Sequence, residues 1–456
     1  MKSPYSKIKD IISEQTQTPL RMRLFSSAYW NLVAAVILRI FSMLCTLIAA
    51  WMLGKNIFGE YAVIYSTMLM FTVLAGFGLG TTALRQVAAS LSEGLSRAEN
   101  IAGRLMCLAI ITSIFTAVLC FIFSPFIAVL LGAPHLVDVI RIVSLISALN
   151  GIFSVQNGIL AGMGYFKWLA ICNGLLGLIS AAFLGLGIFL NGLEGGICAI
   201  AVSHISIVII NQLYMASIGL HLLKGLYWNG LWDNCRELLL FSVPAFLSGL
   251  MVFPLAWLCN VILVNQESGY GEAALFYAAN QWKLPIIFIP AALIGAFMPV
   301  LSELFTQNET NRFRKLYFST IRLGIIVAIL TASIIIMFSG ILMSIYGTGF
   351  EAGQTVVILV AITGIIESYT TIAGQVIISA GAVWPYMYRC LLSVIVIVFM
   401  AVLLIPNYMA VGLALAYFSG QVVLAASFAV YWTKIVHSME LPRDYLLKKP
   451  VANEIL

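Results

Sequence analysis

Apolar stretches of about 20 residues, each long enough to cross a bilayer, recur between residues 28 and 433 with little polar sequence between them. That feature excludes an ordinary water-soluble fold. The chain is 62% hydrophobic and 9% charged, whereas a soluble domain is about half apolar and about a quarter charged. The bilayer is the solvent for most of this protein. The net charge of +6 does not point to nucleic acid, because no run of five like charges occurs and the cations lie singly beside apolar segments.

The spacing predicts an all-α integral membrane protein of about twelve transmembrane helices near 28–53, 57–80, 103–123, 138–161, 168–190, 195–219, 238–264, 272–300, 317–341, 354–380, 386–406 and 409–433. Residues 1–27 are polar and basic and lack a signal-peptide core, so the first apolar segment is expected to stay as a helix. With the N-terminus inside, nineteen of the 24 Lys and Arg, from Lys2 to Lys449, fall in the tails and inner loops, four lie within helices, and the outer loops hold only Lys55. This asymmetry satisfies the positive-inside rule and places both termini in the cytoplasm. The eight cysteines are scattered without a CxxC pair or a His partner and read as small apolar fillers.

The second half echoes the first. GEYAVIYS (59–66) matches GEAALFYA (271–278); Gln156 and Ala161-Gly162 match Gln375 and Ala380-Gly381; Asn191 and Gly196 match Asn407 and Gly412. The three matches keep the same order and a similar displacement, which predicts two parallel six-helix lobes, residues 28–219 and 238–433. A cytoplasmic bridge over 220–237 carries Lys224, Trp228, Trp232 and Arg236, between cytoplasmic tails at 1–27 and 434–456.

A charge at the bilayer centre costs roughly 2.5–3.5 kcal/mol on insertion scales, so it is expected to face a partner or a wet cavity. Arg39 and Lys283 each lie about eleven residues into their helices, roughly 16 Å deep at the helical rise. Arg322 is near enough to an inner helix end to snorkel, and Arg141 is spaced to pair with Asp138 one turn away. Asn31, Ala35, Arg39, Ser42 and Thr46 form a polar or small stripe on one helix face, as do Glu272, Phe276, Asn280 and Lys283 on another. Pro285 and Pro290 are expected to kink the helix below Lys283, and Pro244 and Pro254 to bend the preceding one. Cationic groups in a cavity suit an anionic passenger such as a pyrophosphate or acidic sugar. The structural alternative is that Arg39 bonds helix carbonyls or a carboxylate such as Glu367. Glu367 itself is the acidic group at depth, either a coupling site for H+ or Na+ or a partner for a neighbouring helix. His204 reads as a packing residue. Tyr61, Tyr65, Tyr277, Trp282 and Tyr369 stack on sugars if they line a cavity, and otherwise mark bilayer interfaces.

The run FGEYAVIYSTMLMFTVLAGFGLGTTALRQVA (58–88) resembles the hallmark stretch of bacterial polysaccharide transport proteins, a short outer turn entering helix 2 and a Gly-rich exit before a basic inner loop. Asn31, Leu53-Gly54, Phe58-Gly59, Tyr61, Gly76 to Gly80 and Arg85 stand where that pattern expects them, and LAGMGYFKW (160–168) extends it. The chain is similar to the Wzx-like oligosaccharide flippases of the multidrug/oligosaccharidyl-lipid/polysaccharide (MOP) exporter superfamily. The resemblance implies a V-shaped pair of lobes with helices 1, 2, 7 and 8 bordering a cleft, where Arg39, Lys283, Asn31, Ser42, Asn280 and Tyr65 meet the substrate. It implies an undecaprenyl-pyrophosphate-linked repeat unit of O-antigen, capsule or exopolysaccharide, moved across the bacterial inner membrane by alternating access without covalent chemistry. It also implies no cofactor beyond H+ or Na+ as a coupling ion, and polymerase and chain-length proteins as pathway partners. Three other readings remain. A cation-coupled multidrug exporter of the same superfamily would favour carboxylates in the cleft. A lipid II flippase would carry two more C-terminal helices. A membrane-embedded glycan polymerase or glycosyltransferase would need a sizeable outer catalytic segment.

Overall fold

A computed structural model describes residues 20–220, 235–307, 309–379 and 382–440. The predicted tails before residue 20 and beyond 440, most of the bridge at 220–237, the Ala380-Gly381 element and the side chains of Asn31 and Pro244 lie outside the described residues. Among the described residues the regular elements are helices: α1 Leu20–Gly76, α2 Leu79–Ser90, α3 Leu95–Leu130, α4 Val137–Gly162, α5 Phe166–Ser217, α6 Cys235–Val264, α7 Gly269–Gln281, α8 Lys283–Thr306, α9 Thr310–Met337, α10 Ser339–Ser344, α11 Gln354–Ser379 and α12 Val383–Glu440, with three 3-10 turns between them.

Among the described residues eight segments are long and apolar enough to cross a membrane, and three of these, Leu32–Ser90, Phe166–Ser217 and Trp384–Trp432, run 59, 52 and 49 residues. A single crossing takes about 20 residues, so each long segment has length for more than one, and each is broken where the sequence places a turn. In α1 the break is Gly54 (φ 71°, ψ 169°). In α5 it is Asn191–Gly192, with Gly192 at φ 55°, ψ −138°. In α12 it is Met409 at φ 51°, ψ −124°. Gly192 and Met409 adopt nearly the same backbone conformation beside the repeated Asn191 and Asn407. Glycine reaches this region at no steric cost, and a side chain does not.

Helix ends extend past the apolar stretches: α1 begins at Leu20, α3 spans Leu95–Leu130 and α12 runs to Glu440. Hydropathy marks the part of a helix in hydrocarbon, and the helix itself continues into the headgroup region and beyond. The predicted helix 272–300 is also not continuous. α7 ends at Gln281, Trp282 closes a tight turn onto the Ala279 carbonyl at 3.1 Å, and α8 opens at Lys283. Pro285 explains the break, since it has no N–H for the Gln281 carbonyl and its ring clashes with that residue. The break therefore lies directly before Lys283.

The chain divides into two compact units, Met1–Trp257 and Leu258–Leu456, the division falling inside α6. In the first unit Leu79, Ala83, Val87, Leu105, Met106 and Ile159 form a buried core. Without a hydrophobic drive between helices in lipid, close approach of small residues does the packing. Gly158 and Gly162 of α4 lie against the Gly80 and Leu84 carbonyls of α2, where a β-carbon would collide with backbone. The first part of α6 joins this unit through Ser242 Oγ to Thr82 Oγ1 (2.7 Å), Trp257 Nε1 donating to Thr67 Oγ1 (3.0 Å), and Phe246 stacked on Phe77. In the second unit the core is built on Ile294, Leu301, Phe313, Tyr317, Ile372 and Phe428. The repeated segments bury the same positions: Tyr61, Ala62 and Val63 in one unit, Ala273, Ala274 and Leu275 in the other.

Candidate functional site

In the first unit the site centres on Arg39. Ile37, Phe41 and Ile48 press against Gly174, Gly177 and Gly185 of α5, which fixes the rotation of α1. Arg39, two residues from both Ile37 and Phe41, is turned about 160° away from that face. Its side chain is exposed and makes no ion pair among the described residues. The predicted stripe closes with depth: Ser42 is half-buried, and Thr46 is buried with its hydroxyl donating to the Ser42 carbonyl at 2.9 Å. Tyr65 lies within electrostatic reach of Arg39 and extends the ladder Phe58–Tyr61–Tyr65, whose successive ring centroids are 6.0 and 6.3 Å apart. A guanidinium is a group that receives phosphate or carboxylate oxygens.

The second unit holds Lys283, Glu367 and Asn280. Lys283 Nζ sits 2.9 Å from Glu367 Oε2, with 15% and 25% of the two side chains exposed, so the pair is mostly buried and still reachable. Three local features bring them together. The break at Trp282 points the first residue of α8 toward α11; Gly364, one turn before Glu367, leaves room for the Lys283 stem, which a β-carbon there would crowd; and the Ser368 hydroxyl donates to the Ile286 carbonyl at 3.3 Å, tying α11 to α8. The predicted face is divided by the break at Trp282, with Lys283 on α8, and its α7 part packs on α12. Glu272 Oε2 accepts the Ala410 N–H at 3.2 Å, Phe276 stacks on Tyr417 at 5.7 Å, and Lys283 Nζ is 5.9 Å from the centre of the Tyr417 ring. Asn280 is half-buried one turn before Lys283.

The pairing changes the electrostatics that the isolated residues suggest. Lys283 and Glu367 together carry no net charge, Arg39 is an exposed cation with no ion pair among the described residues, and the Glu367 carboxylate is held by Lys283 within its own unit. Tyr417 was not visible as a site residue from sequence, because it sits in an unbroken apolar run. Elsewhere His204 Nδ1 donates to the Ile200 carbonyl at 2.8 Å, Arg141 pairs with Asp138 at 2.8 Å as its spacing predicts, and Arg322 is exposed. Among the described residues no cluster of His, Cys, Asp or Glu could hold a metal ion.

Comparison with known proteins places this architecture. The polysaccharide biosynthesis protein family matches residues 24–305. The EPS I polysaccharide export inner membrane protein EpsE of Ralstonia solanacearum is 30% identical over 166 residues, 34% of this chain and 36% of that protein; its counterpart in Ralstonia nicotianae is 28% identical over the same length. The match spans about a third of those relatives. Among solved structures, an inward-facing multidrug resistance MATE family transporter of the MOP superfamily aligns with a TM-score of 0.76 at 14% identity, covering 90% of this chain and 98% of that one. A MOP superfamily transporter from Pyrococcus furiosus, described as having a binding pocket of reversed polarity, aligns with a TM-score of 0.66 at 14% identity over 92% and 96%. Those likenesses establish the fold, and the match over residues 24–305 establishes the family: this chain shares the fold of those transporters and belongs to the polysaccharide biosynthesis protein family.

Proposed function

We propose that this chain is a multi-pass transporter of the bacterial inner membrane that carries an undecaprenyl-pyrophosphate-linked oligosaccharide repeat unit, for O-antigen, capsule or exopolysaccharide, from the cytoplasmic to the periplasmic leaflet. The observation that carries the proposal is the family match over residues 24–305. Counting each of the three broken segments as two crossings, and α7 with α8 as one more, gives twelve crossings, which form two six-helix lobes with both termini cytoplasmic. The passenger's headgroup passes through the protein by alternating access while its lipid tail stays in the bilayer.

Arg39 receives the pyrophosphate, assisted by Tyr65, Ser42 and Asn31, because a planar guanidinium binds phosphate oxygens in two directions at once. Lys283 and Asn280 take part from the second lobe. A coupling ion, H+ or Na+, drives the cycle, and Glu367 accepts it in a state in which Lys283 has moved away. Polymerase and chain-length proteins of the same pathway consume the delivered unit. A cation-coupled multidrug exporter shares this fold, and it is disfavoured because the carboxylate at depth is held by an ammonium while the exposed charge is cationic.

Deletion of the gene in its host tests the proposal. The expected result is loss of long-chain surface glycan with accumulation of the polyprenyl-linked unit in the membrane, both reversed by complementation. Unchanged glycan with altered drug sensitivity would overturn it in favour of the exporter.

A further inference from the structure

The second unit surrounds its ion pair with groups that neither a passive salt bridge nor an anion site requires. Phe276 and Tyr417, stacked at 5.7 Å, form one wall, and Tyr417 also lies beside the Lys283 ammonium. Asn280 is half-buried one turn from Lys283. Trp282, at the helix break, has its indole N–H covered from solvent with no acceptor among the described residues. Glu367 Oε2 is fully covered beside Lys283, so the 25% exposure of that side chain lies on its remaining atoms.

These groups specify a ligand by their hydrogen-bonding balance. An ammonium has three donors and a carboxylate about four acceptor sites, and one contact between them leaves most of both unused. Their net charge is zero. An anion approaching Lys283 is repelled by Glu367, whereas a hydroxyl donates to the carboxylate and accepts from the ammonium. Aromatic walls with a few placed polar groups supply the apolar contact that the faces of a sugar ring need.

We propose that Lys283, Glu367, Asn280 and the Phe276–Tyr417 wall form a subsite for an uncharged sugar ring. This inference rests on the transport reading above and deepens it. Arg39 takes the anionic group of the passenger, and the Lys283–Glu367 pair reads a neutral residue of its glycan. Glu367 then sets the charge preference of the subsite, because removing its charge leaves an uncompensated ammonium.

Saturation-transfer NMR on the full-length protein in phospholipid nanodiscs, free of glycoside detergent, tests this with a panel of methyl hexosides and the matching methyl hexuronides. Wild type is expected to bind at least one neutral hexoside saturably and about tenfold more tightly than its uronide, a difference of about 1.4 kcal/mol. Glu367→Gln is expected to reverse the order, weakening the hexoside and strengthening the uronide. The exchanged pair Lys283→Glu with Glu367→Lys restores the preference for the neutral sugar and guards against a variant that fails to fold. Equal or tighter binding of uronides by wild type, no saturable binding of any sugar, or equal loss of both classes in Glu367→Gln would overturn the subsite. The readout is independent of the host phenotype: sugar binding without a glycan defect would fault the transport reading, and a glycan defect without sugar binding would fault the subsite.

Discussion

The carboxylate of Glu272, in the first turn of α7, accepts the backbone N–H of Ala410, the residue that follows the break at Met409 in α12. A helix restarting after a break exposes N–H groups with no partner in the helix, and a carboxylate there satisfies one and complements the positive end of the dipole. Glu60, its counterpart in the first half, instead reaches His135 at 3.3 Å. Glu272→Ala is expected to destabilise the protein by about 1–3 kcal/mol, the usual cost of orphaning a buried N–H. Glu272→Gln, which keeps an acceptor oxygen, is expected to recover most of that. Thermal unfolding in nanodiscs reads both, and an unchanged midpoint for Glu272→Ala would mean that the cap contributes nothing.

Met409 holds a positive φ of 51° with a side chain present. The related break in α5 has Gly192 at 55°. Met409→Gly is therefore expected to relieve strain and raise stability, by about 1 kcal/mol, while Gly192→Ala lowers it by a similar amount. Opposite signs from the two substitutions are the diagnostic result, and a loss in both would show that the Met409 side chain contributes more than its backbone costs.

The Lys283–Glu367 pair is open to a double-mutant cycle. Removing one partner from a buried pair leaves the other charge uncompensated and costs about 3 kcal/mol, whereas replacing both with apolar residues costs much less than the two losses added. Lys283→Met, Glu367→Leu and the double variant, compared by thermal unfolding in the same nanodiscs, are expected to show that non-additivity. Strictly additive losses would mean that the 2.9 Å contact does not couple the two residues.

How much of this was legible in the sequence follows from the range of each interaction. Breaks at Gly54 and Asn191–Gly192 are written locally, by glycine and asparagine between apolar runs, and Pro285 carries the reason for the Trp282 turn even though the expected kink lay lower. The break at Met409 has no glycine to announce it; its signals are Pro406-Asn407 and the repeat. Lys283 and Glu367 each stood out as deep charges, but nothing in the chain says that they meet, because that depends on α8 packing across α11 through Gly364. Tyr417 was hidden for a different reason: a tyrosine in a long apolar run looks the same whether it marks a bilayer interface or lines a polar cluster. Arg39 lay between these cases, since its depth was legible and its direction became clear only once Ile37 and Phe41 were seated on α5.

That direction makes Arg39 the sharpest test of anion handling. With Lys283 paired to Glu367, the exposed Arg39 guanidinium is a cation without an ion pair among the described residues, and its planar fork gives a phosphate two bonds where an ammonium gives a point charge. Arg39→Ala is expected to lower transport at least about tenfold, equivalent to roughly 1.4 kcal/mol or more, with the protein still inserted and thermally stable, because the side chain bears no packing load. Arg39→Lys is expected to fall between wild type and Arg39→Ala, keeping the charge without the fork. Complementation of a deletion strain, scored by surface glycan and by accumulated lipid-linked unit against membrane levels of each variant, measures the series. Full activity in Arg39→Ala at normal levels would remove Arg39 from the passenger's path and leave the anionic group to be bound by other residues.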